Sequence, residues 1–253
     1  LAILGQAIAP YDSNAVDIPN ALQPPSGAHW FGTDELGRDV LSRVILSARV
    51  SMLVSLVSVS IALVAGVLLG LLAGYFGGWL DTVIMRVADV MFAFPVMLLA
   101  MAIVAILGPG LTTAMIAIGV VYIPIFARVT RASVLSVRTE PYFRAAVSLG
   151  ATSPRIIWRH VLPNVTAPII VQTSLSLAFA ILSEAALSFL GLGVQPPDPS
   201  WGRMLYDARA VLDQAWWMSV FPGLAVFVTV LSFNLLGDAL RDVLDVRGDG
   251  SGR

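Results

Sequence analysis

The stretch Arg144-Ala145-Ala146-Val147-Ser148-Leu149-Gly150, followed by Leu162-Pro163, lies in a polar segment between two long hydrophobic stretches of the chain. From position 128 to position 160 this segment carries six arginines and a single acid, Glu140. Loops rich in arginine and lysine stay on the cytoplasmic side of a membrane. We therefore expect the segment to be a cytoplasmic loop that joins two membrane spans.

The composition indicates an integral membrane protein. Hydrophobic residues make up 57% of the 253 residues and charged residues only 12%, whereas about a quarter of a soluble domain is charged. The chain has no cysteine, which excludes disulfides and thiolate metal sites, and no lysine. Without lysine, the ATP-binding pattern Gly-x4-Gly-Lys-[Ser/Thr] cannot occur. Any ATP that drives this protein must therefore be bound by another polypeptide.

Five stretches approach the length of about 20 apolar residues that a membrane helix needs. They are residues 50–72, 87–107, 112–127, 165–190 and 216–236. The third is short, and we expect its helix to run on through Arg128 and Arg131 into water. We interpret residues 1–9 as the end of a sixth span whose first part is missing from the sequence. The expected fold class is an all-α integral membrane protein with six spans.

The acidic residues predict which loops face outward. Segment 11–46 carries five acids against two arginines, so we expect residues 10–46 to be extracytoplasmic. With six spans, the N-terminus and the tail 241–253 would both be cytoplasmic. The glycines and serine near its end suggest that this tail is frayed.

An amphipathic helix is predicted within the outer segment. Thr33 could cap it, and Asp34 would lie in its first turn, where a negative charge is favourable. Its polar face would turn Arg38 and Asp39 toward water. We weigh two interpretations: a platform that contacts a solute-binding protein through Asp34, Arg38 and Asp39, or an interfacial helix that leads into the first full span.

The cytoplasmic loop is predicted to contain two short helices. Pro141 suits the first position of a helix, and Gly150 suits a left-handed cap at its end. A second helix would start with Ser153 as N-cap and end at Leu162-Pro163. The alternative is a basic helix that merely lies on anionic lipid headgroups.

The loop resembles the cytoplasmic "EAA" loop of bacterial ABC importer permeases, whose pattern is Glu-Ala-Ala-x3-Gly-x9-Ile-x-Leu-Pro. Arg144 stands at the glutamate position and His160 at the isoleucine position, as is common in the peptide-transporting branch. The resemblance implies that the loop, about residues 138–164, is the docking point for an ATPase. The residues implied are Arg144, Ala145, Ala146, Gly150, Ala151, His160, Leu162 and Pro163.

Two further stretches extend the resemblance to the "C-type" permeases of dipeptide, oligopeptide and nickel importers. They are Phe31 to Arg43 and Glu184 to Gly193, the latter continuing to Trp201-Gly202. The resemblance implies a type I importer transmembrane domain over residues 47–240 in a bacterial inner membrane. It also implies a second homologous permease, two ATPases that bind ATP and Mg²⁺, and an extracytoplasmic solute-binding protein. The implied substrates are short peptides, with glutathione or nickel as alternatives, and no nucleic-acid partner is expected.

Three features of the spans leave alternatives open. Glu184 is surrounded by apolar residues, so it either lines the translocation path or is a hydrogen-bonded packing residue. Small residues recur every fourth position at Ser58, Ala62, Gly66, Gly70 and Gly74, and we favour packing within the chain over packing on a second permease. Asp89 is expected to pair with Arg86 or to lie at the membrane interface.

The sequence disfavours other classes of function. The two histidines are predicted on opposite sides of the membrane, and no Gly-x-Ser-x-Gly nucleophile motif occurs. No catalytic residue and no metal site are therefore assigned. An autonomous secondary transporter usually has internal repeats and midplane carboxylates, for which only Glu184 is a candidate.

Overall fold

A computed structural model describes residues 5–249, and side chains as far as residue 244. The described chain is almost entirely helical, with one isolated backbone bridge between Thr33 and Asp39. The helices are α1 (Gly5–Ile8), α2 (Val40–Phe76), α3 (Gly78–Phe92), α4 (Val96–Leu107), α5 (Leu111–Thr139), α6 (Pro141–Ser148), α7 (Ser153–Ile156), α8 (Leu162–Phe189), α9 (Trp201–Ala208) and α10 (Trp217–Asp249).

Four helical segments of the described chain are long and apolar enough to cross a membrane. They are Val40–Phe76, Leu111–Thr139, Ser153–Phe189 and Trp217–Leu244. Each covers one predicted span to within one residue at its ends, and α5 runs on through Arg128 and Arg131 as expected. Length and apolar composition are local properties, which is why the sequence predicts these four.

The second predicted span, residues 87–107, is wrong as a single straight helix. Helices α3 and α4 meet at a bend of 92°, so the pair is either a broken span or a re-entrant loop. Pro95 lies at the bend and cannot donate a helical hydrogen bond. The residue before a proline, Phe94, is also disfavoured in helical conformation. These two effects explain the break.

The chain ends differ in part from expectation. Residues 1–4 lie outside the described part, and Gly5–Ile8 forms one helical turn, so the sixth span stays a prediction. The predicted fraying of the tail is wrong for residues 241–249, which continue α10 as helix. Residues 250–253 lie outside the described part.

The chain forms two compact units. Within the described residues, unit 1 comprises 5–58, 100–118 and 178–232, and unit 2 comprises 59–99, 119–177 and 233–249. The arginine-rich loop, about residues 138–164, falls in unit 2. Glu184 and the acidic segment before α2 fall in unit 1.

The glycines of the small-residue ridge pack within unit 2, as favoured above. A Cβ added to Gly66 would lie 2.5 Å from the Cβ of Phe126, and one on Gly70 would lie 2.6 Å from the carbonyl oxygen of Ala127. A Cβ on Gly74 would meet Val134 at 2.7 Å. Helices α2 and α5 therefore approach so closely that only glycine fits between them.

Two ion pairs join α3 to α5 in the same unit. Arg131 makes a bidentate contact with Asp81, its Nε and Nη2 lying 2.5 and 2.6 Å from the two carboxylate oxygens. Asp89 pairs with Arg128, at 2.5 Å between Oδ1 and Nη2. The expected Asp89–Arg86 pair is thus wrong, because the bend after α3 and the packing of α5 bring a more distant arginine to the carboxylate.

Candidate functional site

Helix α6, the first helix of the arginine-rich loop, has the predicted bounds and caps. It begins at Pro141. Beyond its end, Gly150 has a φ of +72°. The amide of Ala151 donates to the carbonyl of Ala146 at 3.1 Å and that of Gly150 donates to Val147 at 3.0 Å. This pair of bonds is a Schellman motif, in which the left-handed residue is usually glycine. A Cβ on Gly150 would meet nothing within 4 Å, so backbone conformation rather than space requires glycine.

The second helix of the loop differs from the prediction. Its N-cap is Thr152, one residue before the expected Ser153. It does not end at Leu162-Pro163 but passes through a π-helical turn, Ile157–Val161, into α8. Because a proline ring clashes with the carbonyl four residues earlier, a wider turn before Pro163 lets the helix continue. The second helix of the loop and the following span therefore form one continuous helical segment, Ser153–Phe189.

The two faces of α6 differ sharply in exposure. Phe143 and Ala146 are buried, whereas Arg144, Ala145 and Leu149 are exposed, Leu149 to 87%. The buried pair belongs to a core cluster of unit 2 with Leu71, Val134, Val137, Ile156, Val161, Val165 and Ile169. The expected docking face of Ala145, Ala146 and Gly150 is therefore wrong in one member, because Ala146 turns toward the interior.

The remaining loop residues differ in their surroundings. Ala151 and Leu162 pack against the core cluster, and Pro163 is exposed in the first turn of α8. His160 is partly exposed, with its ring 6.4 Å from that of Tyr142. Sequence reasoning missed Trp158, which is 71% exposed in the π-helical turn. A lone tryptophan in a basic helix gives no signal of which way it points.

Glu184 is fully buried in unit 1 and bonded to serines. The Ser51 hydroxyl donates to Oε2 at 3.0 Å and the Ser188 hydroxyl to Oε1 at 2.8 Å. Ser200 supplies a further hydrogen bond. Since every carboxylate oxygen has a protein donor, the geometry favours the packing interpretation over a lining of the translocation path.

The same network positions the segment that follows α8. Ser188 also accepts a hydrogen bond from the amide of Val194 at 3.1 Å. A Cβ on Gly193 would collide with Ser188, and one on Gly202 would lie 2.7 Å from its Cβ. Residues 184–202 therefore pack as one unit. Gly193 and Gly202 have no Cβ, so their backbone can lie directly against Ser188.

The predicted amphipathic helix from Thr33 is wrong, because α2 begins only at Val40. The Thr33 hydroxyl donates to the carbonyl of Asn20 at 2.6 Å instead of capping a helix. Gly37 adopts a φ of +74° and turns the chain before α2. The periodicity of the segment could not reveal the hydrogen bond from Thr33 to Asn20, which lies 13 positions earlier in the chain.

The three residues expected to contact a binding protein do not form an exposed face. Asp34 and Asp39 are 5% and 3% exposed. Asp39 accepts hydrogen bonds from the amide and the hydroxyl of Ser42 at 2.8 and 2.7 Å, so it caps α2. The other carboxylate oxygen of Asp39 lies 2.9 Å from Nδ1 of His29. Asp34 accepts from Nε of Arg38 at 2.7 Å. These residues therefore hold the segment before α2 together.

Sequence reasoning also missed Arg43, which is only 3% exposed although it is charged. Its Nε lies 3.7 Å from Asp34 and its Nη1 donates to the carbonyl of Ser13 at 3.0 Å. A buried arginine is tolerated when it is paired and hydrogen-bonded. Its partners lie up to 30 residues away in sequence, so no local signal identifies them.

The family of binding-protein-dependent transport system inner membrane components matches residues 66–248. The chain belongs to this family. This permease therefore carries, within the matched region, the loop and the Glu184 segment described above.

Several related proteins match most of this permease. It is 52% identical over 226 residues to the dipeptide transport system permease protein DppC of Alkalihalophilus pseudofirmus, covering 89% of this chain and 74% of the relative. It is 49% identical to a di/tripeptide transport system permease of Pseudomonas aeruginosa, covering 96% and 82%. It is 46% identical to a glutathione transport system permease of Pectobacterium atrosepticum, covering 97% and 82%.

Solved structures support the fold. The MetNI methionine ABC transporter in an inward-facing conformation matches with a TM-score of 0.67 and 18% identity, covering 79% of this permease and 95% of that chain. An amino acid ABC transporter matches with a TM-score of 0.63 and 17% identity, covering 80% and 94%. At this identity the likeness concerns the fold alone, which is that of ABC transporter membrane subunits.

These findings place the chain among membrane-embedded permease subunits of ABC importers, a class that works with partner ATPases. The autonomous secondary transporter weighed above is therefore not retained.

Proposed function

We propose that this chain is the permease subunit of an ATP-driven importer that carries short peptides into the bacterial cytoplasm by alternating access. The observation that carries the proposal is the 46–52% identity to permeases named for dipeptide, di/tripeptide and glutathione transport. Glutathione is itself a tripeptide, so these names describe one substrate class. The nickel alternative has no such support among these relatives.

The permease acts with further subunits. Two ATPases bind ATP and Mg²⁺, since this chain has no lysine and hence no lysine-containing phosphate loop of its own. A second, homologous permease completes the translocation path, and an extracytoplasmic protein delivers the substrate. The arginine-rich loop and both termini lie on the cytoplasmic side, and residues such as Glu35 and Asp198 lie outside.

The loop transmits movement of the ATPases to the spans. The exposed residues Arg144, Ala145 and Leu149 form the face of α6 that an ATPase contacts. The buried Phe143 and Ala146 pack on the ends of α2, α5 and α8 in one core cluster. Because packed cores resist deformation, a push on α6 moves these helix ends together.

Substitution of the exposed face tests this assignment. Ala145→Asp places a charge on the surface of α6 without filling the core, and we expect it to release the ATPases from the purified complex and abolish ATP-dependent uptake of a labelled dipeptide in proteoliposomes. Ser136→Asp, an exposed position of the same loop on α5, is the matched control and should retain both. Retention of the ATPases by both variants would refute α6 as the docking helix.

A further inference from the structure

A polar cavity opens in unit 1 beside the start of α2. Its volume is about 230 Å³. It lies between the turn before α2, the loop after α8 and helix α9. The lining residues are Asp34, Glu35, Leu36, Arg38, Arg43, Pro196, Pro197, Asp198, Arg203, Asp207 and Met218.

The floor and wall of this cavity hold charges that are already paired. Asp34 pairs with Arg38 at 2.7 Å and lies 3.7 Å from Arg43. Asp207 pairs with Arg203 at 2.9 Å. Each of these arginines therefore already has a carboxylate partner within the chain.

Two carboxylates remain at the rim. Glu35 and Asp198 are exposed, and neither forms an ion pair within the part of the chain that the structure describes. Partial burial, followed by repulsion from Asp207 and Asp34, raises the pKa of Glu35 above its ordinary value. Attraction to Arg38 lowers this pKa but does not cancel the rise. A positive charge at this position would relieve that repulsion.

The size and the apolar lining narrow the choice of occupant. Small-molecule pockets usually measure about 300–1,000 Å³, so 230 Å³ suits the end of one side chain better than a whole peptide. Leu36, Pro196, Pro197 and Met218 line the cavity between the charged groups. Arginine and lysine bury their methylene stems on apolar surface while the charged end meets polar groups.

We propose that this cavity is a docking socket for a basic side chain of the extracytoplasmic protein that delivers substrate to the permease. The ammonium or guanidinium group meets Glu35 and Asp198, and the stem lies along Leu36 and the two prolines. The proposal rests on the proposed function, because it needs an importer with an extracytoplasmic partner.

The test measures binding of the solute-binding protein encoded with this transporter to the complete complex in lipid nanodiscs. Glu35→Gln with Asp198→Asn removes both rim charges and keeps the side-chain shape. Asp213→Asn neutralises an exposed acid of unit 1 that does not line the cavity, so it is the matched control. We expect the double variant to lower the affinity about tenfold at low salt, mainly through a slower association rate, and to flatten its salt dependence.

A pH series gives a second readout. Because the pKa of Glu35 is raised, its charge is lost at a higher pH than for an ordinary glutamate, and wild-type affinity should fall on mild acidification. The double variant should show a smaller fall over the same range. Equal pH dependence in wild type and double variant would contradict a role for the rim charges.

The outcomes separate the two proposals. If wild type imports dipeptide but the double variant binds the partner as wild type and Asp213→Asn do, the socket is overturned and the importer stands. If the double variant instead raises KM for free dipeptides but not for N-acetylated ones, with partner binding unchanged, the cavity holds a substrate amine and the socket is again overturned. A wild-type complex that binds no extracytoplasmic partner and imports nothing overturns both proposals.

Discussion

Gly150 controls the end of helix α6 through its backbone alone. Its φ of +72° places it in the left-handed region, which costs a residue with a Cβ about 1–2 kcal/mol. We expect Gly150→Ala to lower the thermal stability of the purified complex and to weaken coupling between ATP hydrolysis and uptake. Gly150→Asn should be milder, because asparagine tolerates this conformation. Equal melting temperatures for wild type and both variants would contradict a strained cap.

Glu184 stabilises unit 1 through its serine partners. Glu184→Ala leaves the hydroxyls of Ser51 and Ser188 without their acceptor, at a cost of about 1–3 kcal/mol for each buried group left unpaired. Glu184→Gln keeps an acceptor, and the serine hydroxyls can rotate to accept from the new amide. We therefore expect the melting temperature to fall strongly in Glu184→Ala and slightly in Glu184→Gln. Dipeptide uptake should decrease in the same order. A Glu184→Gln variant that folds normally but takes up no dipeptide would instead support the interpretation that Glu184 lines the translocation path.

At the scale of elements, the close approach of α2 and α5 depends on glycine. A Cβ on Gly70 would lie 2.6 Å from both the Ala127 carbonyl oxygen and the Thr130 Cβ, and overpacking of this kind costs about 1–3 kcal/mol. We expect Gly70→Ala to destabilise the complex in thermal unfolding. Gly223→Ala in α10 is the control, because a Cβ there meets nothing within 4 Å. A larger loss of stability in Gly223→Ala than in Gly70→Ala would mean that α2 and α5 separate readily.

The elements also show which parts of the loop could be predicted. Pro141 and Gly150 act through their own backbone preferences, so the bounds of α6 follow from sequence. Ala146 is buried in a core cluster that includes Leu71 and Val165, which come together with it only in the folded chain. The prediction of a helix from Thr33 was wrong for the same reason, because the Thr33 hydroxyl donates to the carbonyl of Asn20, a partner that only the folded chain brings near.

At the scale of the whole molecule, we expect transport to require the complete assembly. Proteoliposomes that contain this permease with its partners should take up labelled dipeptide only when ATP is supplied. Excess unlabelled dipeptide or glutathione should compete, and Ni²⁺ should not, because the relatives are named for peptide substrates. Competition by Ni²⁺ alone would replace the peptide assignment with the nickel alternative.

The sequence by itself determined the membrane class, four of the spans, the caps of α6 and the importer family. The class, the spans and the caps follow from local hydrophobicity and backbone preferences, which need no knowledge of distant partners, whereas the family follows from the resemblance of the loop and two further motifs to known permeases. Only the tertiary structure decided the bend between α3 and α4, the inward turn of Ala146 and the pairing of Glu184 with Ser51, 133 residues away. A buried polar group must find a partner wherever the fold brings one within hydrogen-bond distance, and that distance is set by packing rather than by position in the chain.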